Sequence, residues 1–178
     1  MSGTIISSYI RTIPDFPKKG IMFRDVTTLF KDPQGLHLCL ADFHKRYKES
    51  GVEVVAGIEA RGFIVGAALA NLLNVGFVPV RKKGKLPGEV VSQTYELEYG
   101  SDTIEIHKDA ISSGQKVLLI DDLLATGGTA LAASKLIELL GGTLIECAFV
   151  VNLPDLGGAK LLEHAGLRWY AQTAFSGD

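Results

Sequence analysis

Little in this chain is extreme, and its shortages narrow what it can be. Only two cysteines occur in 178 residues, Cys39 and Cys147, far apart and with no Cys-x-x-Cys pair. Two buried thiols in a reducing cytoplasm are the simplest account. No apolar run reaches the roughly 18 to 20 residues of a spanning helix, so no membrane partner is expected. Met1-Ser2-Gly3-Thr4 lacks the basic and apolar blocks of a signal peptide. Neither sign of charge dominates: 18 Lys and Arg against 20 Asp and Glu leave a formal charge of -2. That balance offers no global attraction for nucleic acid or an anionic membrane. The four histidines, His37, His44, His107 and His164, show no metal-ligand spacing. Low-complexity tracts and internal repeats are missing too. With 47% apolar residues, disorder is excluded and one domain with a full core, spanning 1–178, is expected.

What is abundant is glycine, 20 residues, set beside charged and hydroxyl residues. Around those glycines the apolar pattern alternates between two periods. Residues 34–48 place Leu36, Leu40, Phe43 and Tyr47 at helical spacing, and Gly51 ends that helix. Val52 to Ile58 reads as a strand buried on both faces. Phe63, Gly66, Ala67, Ala70 and Leu73 trace a helical face, and Gly76 to Val80 a short strand whose Pro79 favours an end or edge. Val117 to Ile120 is another apolar strand. A glycine turn follows it, then a helix with Ala133, Leu136, Ile137 and Leu140 on one side. Leu144 to Val151 is a further strand. Strands alternating with helices predict an α/β fold, a central mostly parallel sheet flanked by helices.

Two segments break the rhythm. Residues 81–93, punctuated by Lys83, Pro87 and Gly88, predict a mobile loop. The alternation of Thr94–Tyr99 and Thr103–His107 around Gly100 predicts a hairpin flap, with Glu96, Glu98 and Glu105 on its wet face. The first 30 or so residues, with a short helix near Ser7–Thr12, predict a cap rather than sheet.

Chemistry concentrates in Val117-Leu118-Leu119-Ile120-Asp121-Asp122-Leu123-Leu124-Ala125-Thr126-Gly127-Gly128-Thr129. Carboxyl ends of strands in a parallel sheet are where ligands bind. The turn can curl backbone N–H groups around an anion at the positive end of the next helix. Gly127 and Gly128 allow close approach, and Thr126 and Thr129 add hydroxyls. No Lys follows the glycines, so this is not a Walker A loop. Two adjacent carboxylates would repel phosphate but suit a ribose diol, which donates hydrogen bonds. Phosphate plus diol describes a ribose 5-phosphate site.

This segment resembles the phosphoribosyl-diphosphate signature of type I phosphoribosyltransferases, in the spelling of the members that use adenine. Asp15-Phe16-Pro17, Gly20-Ile21-Met22-Phe23-Arg24-Asp25, Glu59-Ala60-Arg61-Gly62-Phe63, Arg81 to Gly88 and Leu97-Glu98-Tyr99-Gly100 resemble further segments of those enzymes, in order. Coverage runs from about Asp15 to about Val151. The resemblance implies the type I fold, with a hood over about 1–33 and a flexible loop and hairpin flap over 81–107. It implies transfer of phosphoribose from 5-phosphoribosyl 1-diphosphate to adenine, giving AMP and diphosphate, in a cytoplasmic homodimer. Mg²⁺ would be carried by the diphosphate and ribose hydroxyls, with no direct protein ligand.

The same resemblance assigns Ala125, Thr126, Gly127, Gly128 and Thr129 to the 5-phosphate, and Asp121 and Asp122 to the ribose. Ala60 and Arg61 would form the pyrophosphate loop, which in this family often carries a non-proline cis peptide. Arg81, Lys82 and Lys85 would border the pyrophosphate, from the same or the neighbouring subunit. Met22, Phe23, Arg24 and Leu123 would surround the adenine. Glu98 would be the general acid/base when the flap closes, with Arg61 countering leaving-group charge. Two alternatives stand beside this: the same scaffold acting on a 6-oxopurine, or a non-catalytic sensor of phosphoribosyl diphosphate. A sensor that binds DNA or RNA would carry a basic face or an added helical module.

Overall fold

The computed structural model describes residues 2–96 and 100–177. Its centre is a seven-stranded sheet built from β3 (Val54–Ile58), β4 (Gly76–Lys82), β5 (Val90–Glu96), β6 (Ser101–His107), β7 (Lys116–Leu124), β8 (Thr143–Asn152) and β9 (Trp169–Ala174). Their spatial order is β5-β6-β4-β3-β7-β8-β9. The pairs β3–β4, β3–β7, β7–β8 and β8–β9 are parallel, while β6 runs antiparallel to β4 and β5 antiparallel to β6. All five residues of β3 are buried, as expected of a strand covered on both faces.

Alternate residues of the central strands feed two cores. Val55, Leu118, Ile120 and Val150 meet α3 (Pro33–Tyr47) and α4 (Arg61–Leu73) on one face. Ala56, Leu119, Cys147 and Phe149 meet α5 (Gly128–Leu139) and α6 (Gly158–His164) on the other. Helix α3 starts where the sequence signals it. Asp32 accepts from the Gln34 and Gly35 amides at 2.9 and 2.8 Å, and Pro33 occupies the first turn.

Several expectations are corrected. The first helix, α1, spans Ser2–Ser7 rather than Ser7–Thr12, and the hood contains sheet: β1 (Arg11–Pro14) pairs antiparallel with β2 (Met22–Asp25), before α2 (Thr27–Lys31). Two four-residue strands, the first ending at Pro14 and the two separated by a turn with Pro17 and Gly20, are too short for alternation to stand out. Much of the supposed 81–93 loop is strand: Arg81 and Lys82 finish β4, and Val90 to Gln93 pair with Ile104 to His107. The β-branched Val90 and Val91 favour that pairing. Glu105 does not face water. It is buried, accepting from the Gly84 amide at 2.9 Å and from the Ser92 hydroxyl at 3.2 Å. Pro79 lies where β4 pairs only with β3, since β6 joins β4 at Arg81 and Lys82 alone. It therefore interrupts no ladder.

Candidate active site

Strands β3 and β7 part where the site begins. Their pairing ends at Gly57 with Ile120, whereas β7 continues along β8 to Leu124 with Asn152. The acid pair therefore sits inside β7, not beyond its end, at the crevice where the strand order reverses. Glycine at 62 lets α4 crowd this crevice: a Cβ there would stand 2.9 Å from the Ile120 carbonyl oxygen and 3.0 Å from Asp121 Oδ1.

Asp121 accepts from the Asp122 amide at 2.8 Å. Asp122 receives Nε of Arg61 at 2.5 Å, with its own carboxylate nearly sealed and the guanidinium half-exposed. Burial and the neighbouring Asp122 carboxylate push the Asp121 carboxyl well above its ordinary range. Although burial opposes its charge, Arg61 is held above its usual value by Asp122, Asp121 and Asp25. The charge of Asp25 ties the end of hood strand β2 to this cluster.

Beyond β7, Ala125 to Gly127 turn into α5. Gly127 has φ +82° and precedes the first turn of that helix. A small cavity of about 80 Å³ is lined by Asp121, Ala125, Thr126, Gly127 and Thr129, among others. Ala125, Thr126, Gly127 and Thr129 thus share this cavity with Asp121, while Gly128 borders a separate groove beside Tyr95. The back wall of the turn was not foreseen. The Gly158 amide donates to the Ala125 carbonyl at 2.9 Å, and a Cβ at Gly158 would lie 2.9 Å from Gly127 N. The Gly157-Gly158 doublet was the available signal.

On the other side of the crevice the Glu59–Ala60 peptide is cis. Glu59 holds Arg81 through Nη2 at 2.9 Å and Nε at 3.2 Å, and accepts from the Lys82 amide at 3.0 Å. Those bonds, Arg81 first, hold the Glu59 carboxyl below its ordinary value. Arg81 also donates to the Lys85 carbonyl, while the Lys82 ammonium meets Asp102 at 3.3 Å. Arg81 and Lys82 are therefore each paired with an acid, Lys85 joins them only through its carbonyl, and Glu59, which holds Arg81, was missed. In sequence it follows an apolar run, Val54 to Ile58, as Asp121 follows Val117 to Ile120. A cavity of about 290 Å³ joins the two sides, lined by Glu59, Lys82, Asp102, Asp121, Tyr95 and Thr129 among others.

Of the hood residues, Phe23 meets Phe16 edge to face at 5.2 Å. Arg24 donates to Thr12 at 2.8 Å and lies over the Phe175 ring at 4.7 Å, so its side chain is committed to holding the hood. Leu123 and Ala125 pack half-buried at the edge of the core. Glu98 lies outside the described residues.

An acid pair, a glycine turn at a helix start and a basic group thus share one crevice at the carboxyl ends of parallel strands. The family model for the phosphoribosyl transferase domain matches residues 30–163. Adenine phosphoribosyltransferase of Chlorobium limicola is 61% identical over 175 residues, covering 97% of this chain and 99% of its own. The enzyme of that name from Thermoanaerobacter pseudethanolicus superposes with TM-score 0.92 at 48% identity, covering 97% of this chain and 99% of that one. That of Saccharomyces cerevisiae, complexed with adenine and the imino-altritol bisphosphate D-DIAB, gives 0.89 at 39% identity over 96% of this chain and 98% of that one. The chain belongs to the adenine phosphoribosyltransferases, the purine-salvage enzymes that join adenine to phosphoribose.

Proposed function

We propose that this chain carries out that transfer through the residues gathered at the β3–β7 crevice, converting adenine and 5-phosphoribosyl 1-diphosphate to AMP and diphosphate. The observation that carries the reading is the contact of Arg61 with an acid pair that adjoins the Ala125–Thr129 turn. Ala125 to Thr129 hold the 5-phosphate by backbone N–H groups and hydroxyls. Asp121 and Asp122 accept from the ribose hydroxyls. Ala60, Arg61, Arg81, Lys82 and Lys85 face the diphosphate. Met22, Phe23, Arg24 and Leu123 form the base pocket, with Arg24 acting through its backbone.

The ribose C1–oxygen bond loosens first, and its electron pair leaves with the diphosphate. Arg61 and the basic residues stabilise that departing charge. The oxocarbenium-like carbon is then captured by an adenine ring nitrogen, whose proton passes to Glu98. Closure of the flap excludes water, which would otherwise take the cation. Carboxylates, hydroxyls and backbone groups form a hard donor set that suits Mg²⁺ held mostly by substrate oxygens and water. Bound in this way, through ribose hydroxyls that Asp121 and Asp122 hold, Mg²⁺ would neutralise diphosphate charge.

The same reading makes the protein a cytoplasmic homodimer. Two buried thiols pushed up to about 12 by desolvation suit reducing conditions. Ile64 and Leu72, 48% and 47% exposed on α4, support a face that a second copy would cover.

A steady-state assay with phosphoribosyl diphosphate and Mg²⁺, offering adenine, hypoxanthine, guanine and xanthine in parallel, tests the assignment. Adenine should exceed the others at least about 100-fold, or about 2.7 kcal/mol. Preference for an oxopurine would refute the base pocket, and no turnover with substrate still bound would favour a sensor.

A further inference from the structure

Tyr95 belongs to the hairpin by sequence but touches the cradle in space. Its hydroxyl stands 3.0 Å from Thr129 Oγ1, on the first turn of α5. Its ring lies over that turn because residue 128 has no side chain: a Cβ at Gly128 would stand 3.3 Å from Tyr95 Cδ2. Tyr95 borders two spaces. One is the cavity shared with Asp121 and Glu59. The other is a groove of about 340 Å³ lined by Gln93, Lys135 and Leu161, among others. On the partner strand Tyr95 faces Asp102, which itself holds Lys82. One residue thus borders the cradle, the basic group and the strand that leads to Glu98.

We propose that Tyr95 is a positioning residue, latching the β5–β6 hairpin to the phosphate cradle through Thr129, so that a bound 5-phosphate fixes the hairpin as well as the sugar. The proposal rests on the cradle reading of Ala125–Thr129. A hydroxyl donates one hydrogen bond and accepts two. In the structure Thr129 donates to Tyr95. When a phosphate oxygen enters, the Thr129 hydrogen turns to it and the Tyr95 hydrogen turns to Thr129 Oγ1. The chain then runs from Tyr95 O–H through Thr129 O–H to the phosphate, and each bond polarises the next. No heavy atom of the pair needs to move for this reversal. Phosphate binding strengthens a contact already in place instead of creating one. The direction of effect is therefore set: occupancy of the cradle orders the hairpin, and the hairpin raises affinity for the phosphate by the same factor.

The test compares the wild-type chain with Tyr95→Phe, Thr129→Val and the double variant, using ribose 5-phosphate as the probe. Phenylalanine keeps the ring over Gly128 and removes only the hydroxyl. Calorimetry should show ribose 5-phosphate binding weakened about 3- to 10-fold in Y95F, the range for one lost hydrogen bond. In the double variant the loss should not exceed that of T129V alone, since both substitutions break one chain. Hydrogen exchange over residues 90–96 should slow when the wild type binds ribose 5-phosphate, and that slowing should largely vanish in Y95F. The Michaelis constant for phosphoribosyl diphosphate should rise in Y95F by more than kcat falls. Equal binding and equal protection in Y95F and the wild type would overturn the latch while leaving the cradle standing. Additive losses in the double variant would overturn it too. Failure of ribose 5-phosphate to bind the wild type would overturn cradle and latch together.

Discussion

Arg61, in the first turn of α4, reaches Asp122 on β7 with its Nε 2.5 Å from Oδ2. The two residues belong to opposite walls of the β3–β7 crevice, so the contact spans it. A diphosphate and a ribose diol arriving together would each claim one partner. The guanidinium would turn to the anion and the carboxylate to the hydroxyls.

Arg61→Ala should therefore lower kcat/KM by about 10²- to 10³-fold, the effect of losing one preorganised electrostatic contact. Arg61→Lys should recover only part of this, since it keeps the charge and loses the fork. Steady-state kinetics with both variants decide the matter. Wild-type kcat/KM in R61A would show the pair to be structural.

Asp121 presents the opposite balance. Its folded-state carboxyl is raised above the ordinary 3.8, chiefly by burial and then by Asp122. Between 3.8 and the raised value the native chain holds a proton that the unfolded chain has lost, so this group's contribution to stability falls as pH rises. Asp121→Asn removes that contribution and can keep the bond to the Asp122 amide. Its melting temperature should exceed the wild type's at neutral pH, and the gap should close on acidification below 3.8. Catalytic efficiency should fall in the same variant. A melting temperature below wild type at pH 7 would contradict the argument.

Glu146 on β8 shows the reverse sign. Burial opposes its charge, but Arg46, at 2.7 and 2.9 Å, and the Tyr47 hydroxyl, at 2.7 Å, hold its carboxyl below the ordinary 4.5. Its contribution is present above 4.5 and disappears as pH falls through the lower folded value. Glu146→Gln should cost about 1 to 3 kcal/mol at neutral pH, as a charge-assisted bond is lost. Below that range the two proteins should converge. Chemical denaturation across pH measures both ends.

Phe175 lies under the Arg24 guanidinium, and the Ser176 carbonyl stands 3.5 Å from Arg24 Nη2. The stretch after β9 thereby supports the hood strand that carries Met22 and Phe23. Phe175→Ala should raise the Michaelis constant for adenine about 2- to 5-fold, the strength of one cation–π contact. The constant for phosphoribosyl diphosphate should stay put. Equal changes in both constants would mean a general loss of structure.

The parts of the site legible in the sequence are those confined to one short segment. Asp121 to Thr129 brings carboxylates, glycines and hydroxyls within nine consecutive positions, and an apolar strand before them fixes their location in an α/β sheet. Contacts made across the sheet left no such trace. Glu59 holds Arg81 because β3 and β4 lie side by side, and nothing in the spacing of the two residues announces it. Glu105 alternates as a wet-face residue should, yet the 83–88 connection folds over it and supplies the Gly84 amide. The hood strands were hidden by brevity, and β9 by an unremarkable mix of aromatic and polar residues. The role of Tyr95 depends on a hairpin folding back onto a helix start 34 positions away.

The two cysteines stand on opposite sides of the central sheet. Cys39 belongs to the layer under α3 and α4, Cys147 to the layer under α5, and neither has measurable exposure. With both thiols raised to about 12, native protein should be inert to alkylating reagents at neutral pH. Labelling at either sulfur then becomes a clock for the opening of its own layer. Without any engineered probe, pulse alkylation and mass spectrometry would reveal whether the two halves of this core come apart together or one before the other.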